Sequence, residues 1–358
     1  MNEPGSRTAP AARAGAGIAF GVDIGGTKVL GVALDAGDRL VGEARVATPQ
    51  SAAESSGPPG GREHHNGEVG ADVADAVAQV VAELGSLPVA SGSGVGPPVG
   101  VGVPGMLDRH GVLIFSPNLQ GAAGADFMGL LTTRLPEGSL VVENDANCAA
   151  LAESVLGAAK GADHVLLVTL GTGIGGGVVA GGRVLVGACG FAGEIGHMVV
   201  DPSGPPCPCG RRGCWERYAS GGGLGRLARE AAYAGRLHEV LALAGGDPEM
   251  VRGEHVTRAA LDGEPGALGV MGELGWWVAV GLANLAAVLD PSRIVLGGGL
   301  VEAGEILLEP TRKAFSELVE GTAARPSIEI VPAALGERAG AVGAALAARA
   351  GGLWYPVC

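Results

Sequence analysis

Apolar residues along the chain gather in short runs broken by glycine turns, and the spacing within each run separates strand from helix. Ile18–Ile24, Val29–Leu34 and Arg39–Val46 predict three short strands, joined by Gly25-Gly26-Thr27-Lys28 and by Asp35-Ala36-Gly37-Asp38. They form a meander. Val69, Val73, Val77, Val80 and Leu84 then recur every three or four residues, which predicts a helix packed along one face. Val99–Val103 reads as an apolar strand closed by a Pro-Gly turn. Leu140–Val142 is another, delivering Glu143-Asn144-Asp145 at its end before an alanine-rich helix over Ala146–Leu156. From His164 the pattern starts again, with strands over Val165–Leu170, Gly177–Ala180 and Arg183–Val186. Gly266–Leu289 is largely helical, Arg293–Leu296 is a strand running into Gly297-Gly298-Gly299, and Ile328–Val331 is a further strand. A helix over Glu337–Ala350 closes the pattern.

A chain of 358 residues is long enough for two lobes, each opening with a strand meander and a glycine turn. Apolar residues at 47% against 17% charged allow an extensive core, and 66 glycines without a collagen-like period imply many tight turns. Met1–Gly17 is rich in Pro, Ala and Gly and lacks the apolar segment of a signal peptide, so a disordered tail is expected there. Ser51–Gly67 and Ser91–Pro98 read as mobile surface inserts. A net charge of -13 with no basic stripe excludes broad binding to nucleic acid or to an anionic membrane. Val165–Gly182 contains seven glycines, and Leu274–Leu289 has 16 residues with Asn284 among them, so neither reads as a membrane span. A cytoplasmic protein is expected.

Three groups of residues carry candidate chemistry. Asp23-Ile24-Gly25-Gly26-Thr27-Lys28 sets a carboxylate at a strand end, then two glycines whose backbone N–H groups can approach a phosphate, then a hydroxyl and an ammonium. The Walker spacing is absent and a strand follows, so this is a different kind of phosphate turn; a plain Gly-Gly hairpin is the bland alternative. Gly171, Gly173 and Gly176 satisfy Gly-x-Gly-x-x-Gly, but Val178-Val179-Ala180 after them is strand-like, where a dinucleotide site needs a helix. A second phosphate turn fits better than a dinucleotide site. The Asn144-Asp145 pair lies at a strand-to-helix corner, where it can cap the helix or accept a hydroxyl proton.

The third group is His197, Cys207, Cys209 and Cys214, with nine, one and four residues in the intervals and Gly204, Pro205, Pro206 and Gly210 as turn formers. This Cys3His set suits a tetrahedral zinc with no open position, hence a structural zinc that pins a loop. Glu194 precedes His197 by three residues and Glu216 follows Cys214 by two, so the metal would orient both carboxylates from outside its ligand shell. Such carboxylates suit sugar hydroxyls. Cys148, Cys189 and Cys358 read as ordinary cysteines.

Taken together, the chain resembles the ROK family of sugar kinases from about Ile18 to Ala350. The resemblance rests on Asp23–Lys28, Ser116-Pro117-Asn118-Leu119, Glu143-Asn144-Asp145-Ala146-Asn147, Gly171–Gly176, Gly193-Glu194-Ile195-Gly196-His197 and Cys207–Glu216. It implies a two-lobed α/β fold of the actin and hexokinase (ribonuclease H-like) type with a structural zinc site. Residues 18–145 with 337–358 would form a small lobe and 146–336 a large lobe carrying the zinc loop. It also implies transfer of the γ-phosphate of ATP, bound with Mg2+, to the 6-hydroxyl of glucose, with Asp145 as the base. Asn118, Asn144, Glu194, His197 and Glu216 would hold the other hydroxyls, so His197 would meet sugar and zinc together. Gly25, Gly26, Thr27 and Lys28 would line the phosphate path with Asp23 near magnesium, facing Gly171, Thr172 and Gly173 of the other lobe. Gly297, Gly298 and Gly299 would border the nucleotide. Lobe closure would expel water, which otherwise competes with the sugar hydroxyl.

No motif reads the sugar's 2-position, so N-acetylmannosamine and N-acetylglucosamine are rival acceptors. With 24 Lys and Arg against 37 Asp and Glu, a polyphosphate donor lacks the basic track it would want. A sugar-responsive repressor would carry a helix-turn-helix unit ahead of the first strand, and 17 residues cannot contain one. The expected assembly is a homodimer or homotetramer.

Overall fold

The computed structural model describes residues 17–49, 66–88, 96–321 and 324–353. The tail expected over 1–17 and the inserts expected over 51–67 and 91–98 lie largely outside them. The chain divides into two compact units, one of Met1–Val155, Val179–Ala192 and Glu337–Cys358, the other of Leu156–Val178 and Gly193–Gly336.

The first unit opens with β1 (Ala19–Ile24), β2 (Lys28–Leu34) and β3 (Leu40–Ala47), followed by α1 (Asn66–Gly85) and β4 (Val99–Val103). A small hairpin of β5 (Met106–Leu107) and β6 (Leu113–Phe115) leads to α2 (Phe127–Thr132), β7 (Leu140–Asn144) and α3 (Asp145–Val155). The main sheet runs β3-β2-β1-β4-β7. Its first three strands are antiparallel, as a meander must be, while β4 and β7 join in parallel. Val73, Val77, Val80 and Leu84 of α1 are fully buried, which is the one-faced packing that their spacing predicts.

The second five-stranded sheet repeats that order. Its strands are β8 (Val165–Leu170), β9 (Ile174–Ala180), β10 (Arg183–Val184), β11 (Arg293–Gly297) and β12 (Glu329–Pro332), arranged β10-β9-β8-β11-β12. Third-second-first-fourth-fifth is therefore the order in both sheets. Between β10 and β11 come α4 (Glu216–Ala219), α5 (Gly221–Tyr233), α6 (His238–Leu243), α7 (Gly253–Leu261) and α8 (Pro265–Leu289); α9 (Glu305–Leu318) precedes β12 and α10 (Ala339–Ala350) ends the fold. Of these, α5, α7 and α9 each bury one face, with Leu224, Leu227, Ala228 and Ala231 of α5 at a spacing of three and four that the sequence expectation left unassigned.

Two boundaries differ from the sequence expectation. The first unit extends to Val155, ten residues past the expected limit at 145, because α3 packs against α10. Gly343 of α10 lies so close to α3 that a Cβ there would sit 1.7 Å from the Cys148 carbonyl oxygen. The hairpin tip Val179–Ala192 also clusters with the first unit: Arg109 Nη2 donates to the Gly187 carbonyl at 2.8 Å. Smaller shifts are end effects. β7 continues through Asn144, and the last helix begins at Ala339 after a 3-10 turn over Gly336–Arg338.

By length and composition α8 could cross a membrane. Its Val270, Met271, Leu274, Val278 and Leu282 are instead buried in the core of the second unit, together with Leu166, Val168, Leu224 and Ile294. Among the described residues the largest fully buried side chain is Trp215, which lies across α8 where Gly281 leaves room and donates Nε1–H to the Trp277 carbonyl at 2.7 Å. A Cβ at Gly281 would stand 2.0 Å from Trp215 Cε2. Alanine in place of a helix-interior glycine ordinarily adds about 0.5–1 kcal/mol of stability. Here the sign reverses: Gly281→Ala should lower stability by about 1–3 kcal/mol through overpacking, read from the urea midpoint with a red-shifted Trp emission.

Candidate active site and metal-binding loop

In the first unit, β1 ends at Ile24 and β2 begins at Lys28, so Gly25-Gly26-Thr27 form the turn. Gly25 N–H donates to the Lys28 carbonyl at 2.8 Å and closes it. Thr48, just past β3, braces the turn twice, Oγ1–H to the Gly25 carbonyl at 2.7 Å and N–H to the Thr27 carbonyl at 3.1 Å. Asn118 is exposed and lies beside Gly26. Asp23 and Asp145 come together across β4, where a Cβ at Gly102 would meet Asp23 Oδ1 at 3.2 Å and Asp145 Cα at 3.4 Å.

Asp145 opens α3, and its Oδ1 accepts from Ala146 N at 2.8 Å. Asn144 ties off the same corner, with Nδ2 donating to the Gly105 carbonyl at 3.0 Å and Oδ1 accepting from Asn147 N at 2.9 Å. One N–H and one lone pair remain for a ligand. Burial pushes the Asp145 carboxyl above its ordinary range, opposed by the N–H groups of Ala146 and of Asp145 itself. Asp23 is pushed up further, first by burial and then by the charge of Asp145, with Lys28 pulling the other way. Its Oδ1 is sealed from solvent and has no hydrogen-bond partner. An orphan carboxylate oxygen of this kind fits a cation or its hydration shell.

In the second unit, the turn after β8 is closed by Gly171 N–H donating to the Gly173 carbonyl at 3.0 Å, while Gly221 N at the start of α5 donates to the Gly171 carbonyl at 2.8 Å. Gly298 has φ of 87° and lies against the end of β8, where a Cβ would stand 2.5 Å from the Leu170 carbonyl oxygen. That contact brings Gly297–Gly299 beside Gly171–Gly173, as two glycine loops at neighbouring strand ends.

His197, Cys207, Cys209 and Cys214 converge, with all four ligand atoms within 4.8 Å of one another. Three soft thiol sulfurs and an imidazole nitrogen in that volume fit a closed tetrahedral metal site. His197 Nδ1 faces the cluster, 3.7 Å from Cys207 Sγ. Arg211 Nη2 donates to the His197 carbonyl at 2.9 Å and fixes its backbone. Glu216 touches this group directly, Oε1 standing 3.0 Å from Cys207 Sγ and 3.6 Å from His197 Nδ1. Its Oε2 meets the glycine turn, since a Cβ at Gly173 would be 2.9 Å away. Glu194 precedes the 3-10 turn Ile195–His197 and is half-buried. The candidate metal-ligand cluster, the Glu216 carboxylate expected beside it and the second glycine turn thus share one neighbourhood; the place of the turn in it is what separation in sequence did not disclose.

The ROK family model matches residues 63–350. The chain belongs to the ROK family. Glucokinase of Streptomyces coelicolor is 37% identical to it over 340 residues, covering 93% of this chain and 98% of that protein. Glucokinase of Thermotoga maritima is 39% identical over 254 residues, 70% and 78% of the two chains. Among solved structures, a ROK family glucokinase from Streptomyces griseus in complex with glucose and AMPPNP aligns with a TM-score of 0.74 at 37% identity, over 92% of this chain and 98% of that one.

Two residues of this ROK protein carry more than their sequence positions suggest. Trp215 lies between Cys214 and Glu216, so its burial against α8 anchors a candidate metal ligand and a carboxylate together. Its signal was a large aromatic in a loop rich in Gly, Pro and Cys. Glu143, next to Asn144 on β7, is buried, and its one described hydrogen bond comes from Leu353 N at 3.3 Å. Burial raises its carboxyl to about 7, with the Leu353 N–H opposing. Cys148 is also buried near these acids, so its thiol is pushed up, chiefly by burial.

Because the folded pKa of Glu143 exceeds the unfolded one, the folded state holds the proton more tightly through the window between them. Its stabilising contribution is complete below the unfolded value and is lost as pH rises to about 7. Glu143→Gln should therefore flatten the decline of the urea midpoint between about pH 4.5 and 7; an unaltered slope would show that Glu143 ionises in the folded state as it does in the unfolded chain.

Proposed function

We propose that this protein is an ATP-dependent glucokinase that transfers the γ-phosphoryl group of ATP to the 6-hydroxyl of glucose. The observation that carries this reading is the pairing of Asp145 with Asp23 beside the Gly25–Lys28 turn, in a chain collinear with a glucokinase over 93% of its length. Asp145 takes the proton from the 6-hydroxyl, the freed oxygen attacks the γ-phosphorus, and the bond to the β-phosphate oxygen breaks to release ADP. A carboxyl raised by burial stays ionised at neutral pH yet is a stronger base than an exposed aspartate.

The backbone amides of Gly25–Thr27 and the Lys28 ammonium line the phosphate path in the first unit, while Gly171–Gly173 serve it in the second and Gly297–Gly299 border the nucleotide. Asp23, whose buried Oδ1 has no hydrogen-bond partner, would help hold the Mg2+ that accompanies ATP, and that ion would neutralise phosphate charge. Asn118, Asn144, Glu194, His197 and Glu216 hold the remaining sugar hydroxyls. His197 turns Nδ1 to the cysteines, leaving Nε2 for the sugar. His197, Cys207, Cys209 and Cys214 would hold zinc, which in a closed four-ligand shell supplies rigidity rather than an activated water. Glucose is favoured over the N-acetylhexosamines by end-to-end similarity to glucokinases. ATP as donor places the reaction in the cytoplasm, and a homodimer or homotetramer is the expected assembly.

Asp145→Asn should keep the glucose dissociation constant within a few-fold by calorimetry while cutting ADP formation by at least about 10³-fold. Retained turnover would remove Asp145 as the base. Elemental analysis should find about one zinc per chain. Stripping the metal with a chelator should raise KM for glucose well before KM for ATP, because His197 and Glu216 belong to or touch the cluster directly, whereas the Gly171–Gly173 turn meets it only through the Glu216 carboxylate.

A further inference from the structure

The ammonium of the first phosphate turn already has a partner. Lys28 Nζ is ion-paired with Glu337 Oε2, and Glu337 Oε1 accepts from Arg45 Nη2 at 2.7 Å. Arg45 Nη2 also donates to Glu43 Oε1 at 2.6 Å, and Arg338 Nε donates to Glu43 Oε2 at 2.6 Å. Five side chains from β2, β3 and the 3-10 turn before α10 thus alternate in charge along one chain of contacts. The hydrogen bonds from Lys28 and then Arg45 hold the Glu337 carboxyl below its ordinary range.

Glu337 is placed to act on the turn rather than merely to decorate the surface. Three residues later Gly340 abuts Asp23, where a Cβ would stand 2.5 Å from Asp23 Cγ. The short stretch from 337 to 340 therefore touches both ionisable residues of the phosphate turn. The Lys28 and Glu337 side chains are 39% and 48% exposed, so water screens their attraction. A multiply charged phosphate outcompetes a single carboxylate under those conditions. When Lys28 leaves, Arg45 still neutralises Glu337, so the exchange strands no charge.

We propose that Glu337 is the displaceable counter-ion of Lys28, a positioning residue that gives the ammonium to the incoming donor phosphate and takes it back as ADP departs. The proposal rests on the kinase reading, in which Gly25–Lys28 is a phosphate turn. It assigns to Glu337 a cost in donor affinity and a gain in product release.

The test compares Glu337→Gln, Lys28→Met and the double variant in the full chain at low ionic strength, where exposed charges are least screened. Glu337→Gln should lower KM for ATP and the inhibition constant of ADP together, each by about two- to five-fold, the scale of an exposed ion pair. KM for glucose should not move. Tighter binding is a result that structural damage does not produce. In the Lys28→Met background the same substitution should have no effect. Glu337→Gln that leaves KM for ATP unchanged or raises it, or that lowers it equally without Lys28, overturns the exchange. Lys28→Met that leaves KM for ATP unchanged overturns the phosphate-turn assignment beneath it. Glu337→Asp should restore the parent constants.

Discussion

The close approach of α10 to β1 and β4 is the constraint on which the first unit depends. A Cβ at Gly21 would stand 1.9 Å from the Ala341 carbonyl oxygen, and one at Gly100 1.9 Å from that of Ala344. Helix and sheet therefore meet backbone to backbone, and dispersion across that contact needs small residues on both sides. The run from Ala339 to Ala348 meets that need, being buried throughout. The other face of α10 is set against α3, which fixes the corner where Asp145 stands. From the same docking, Gly340 arrives on Asp23 and Glu337 on Lys28. The geometry of the acid pair is thus a consequence of helix packing far along the chain.

The first unit sorts its charges by depth. Near the β7–α3 corner, Asp23, Glu143 and Asp145 lie in surroundings that favour their protonated forms, and the neighbouring Cys148 is held neutral. At the surface, alternating Lys, Glu and Arg side chains pair in water. Burial makes the inner acids responsive to an arriving cation, because a single positive charge there changes their ionisation more than it would at the surface. The second unit uses a different device. Its loop gathers three thiols and an imidazole and rests Trp215 on α8, so that order there comes from packing and a compact set of candidate ligands rather than from a charged neighbourhood.

Much of this was legible because local periodicity and local composition carried it. The strand over Val99–Val103, the helix marked by Val73, Val77 and Val80, and the four ligands from His197 to Cys214 are each specified by residues close in sequence. Contacts between distant segments were not legible. Cys148 reads as an ordinary cysteine until α10 closes over it, and Gly281 is one helix glycine among several until Trp215 lies across it. The limit of the first unit at Val155 likewise follows from the packing of α3 on residues nearly two hundred positions later. The helices between Glu216 and Leu261 went unassigned although Leu224, Leu227, Ala228 and Ala231 of α5 recur at helical spacing; the glycines at the start of α5 and the brevity of α4 and α6 masked that pattern.

The discontinuous first unit also sets an order for biosynthesis. Its strands leave the ribosome first, yet the helix that covers β1 and β4 is made only after the whole second unit has been translated. Domains emerging from the ribosome fold as units when their residues are complete. The second unit, apart from the hairpin tip after β9, is one stretch of chain and can fold during synthesis. The first must wait with the glycine-lined face of its sheet uncovered until α10 has been made.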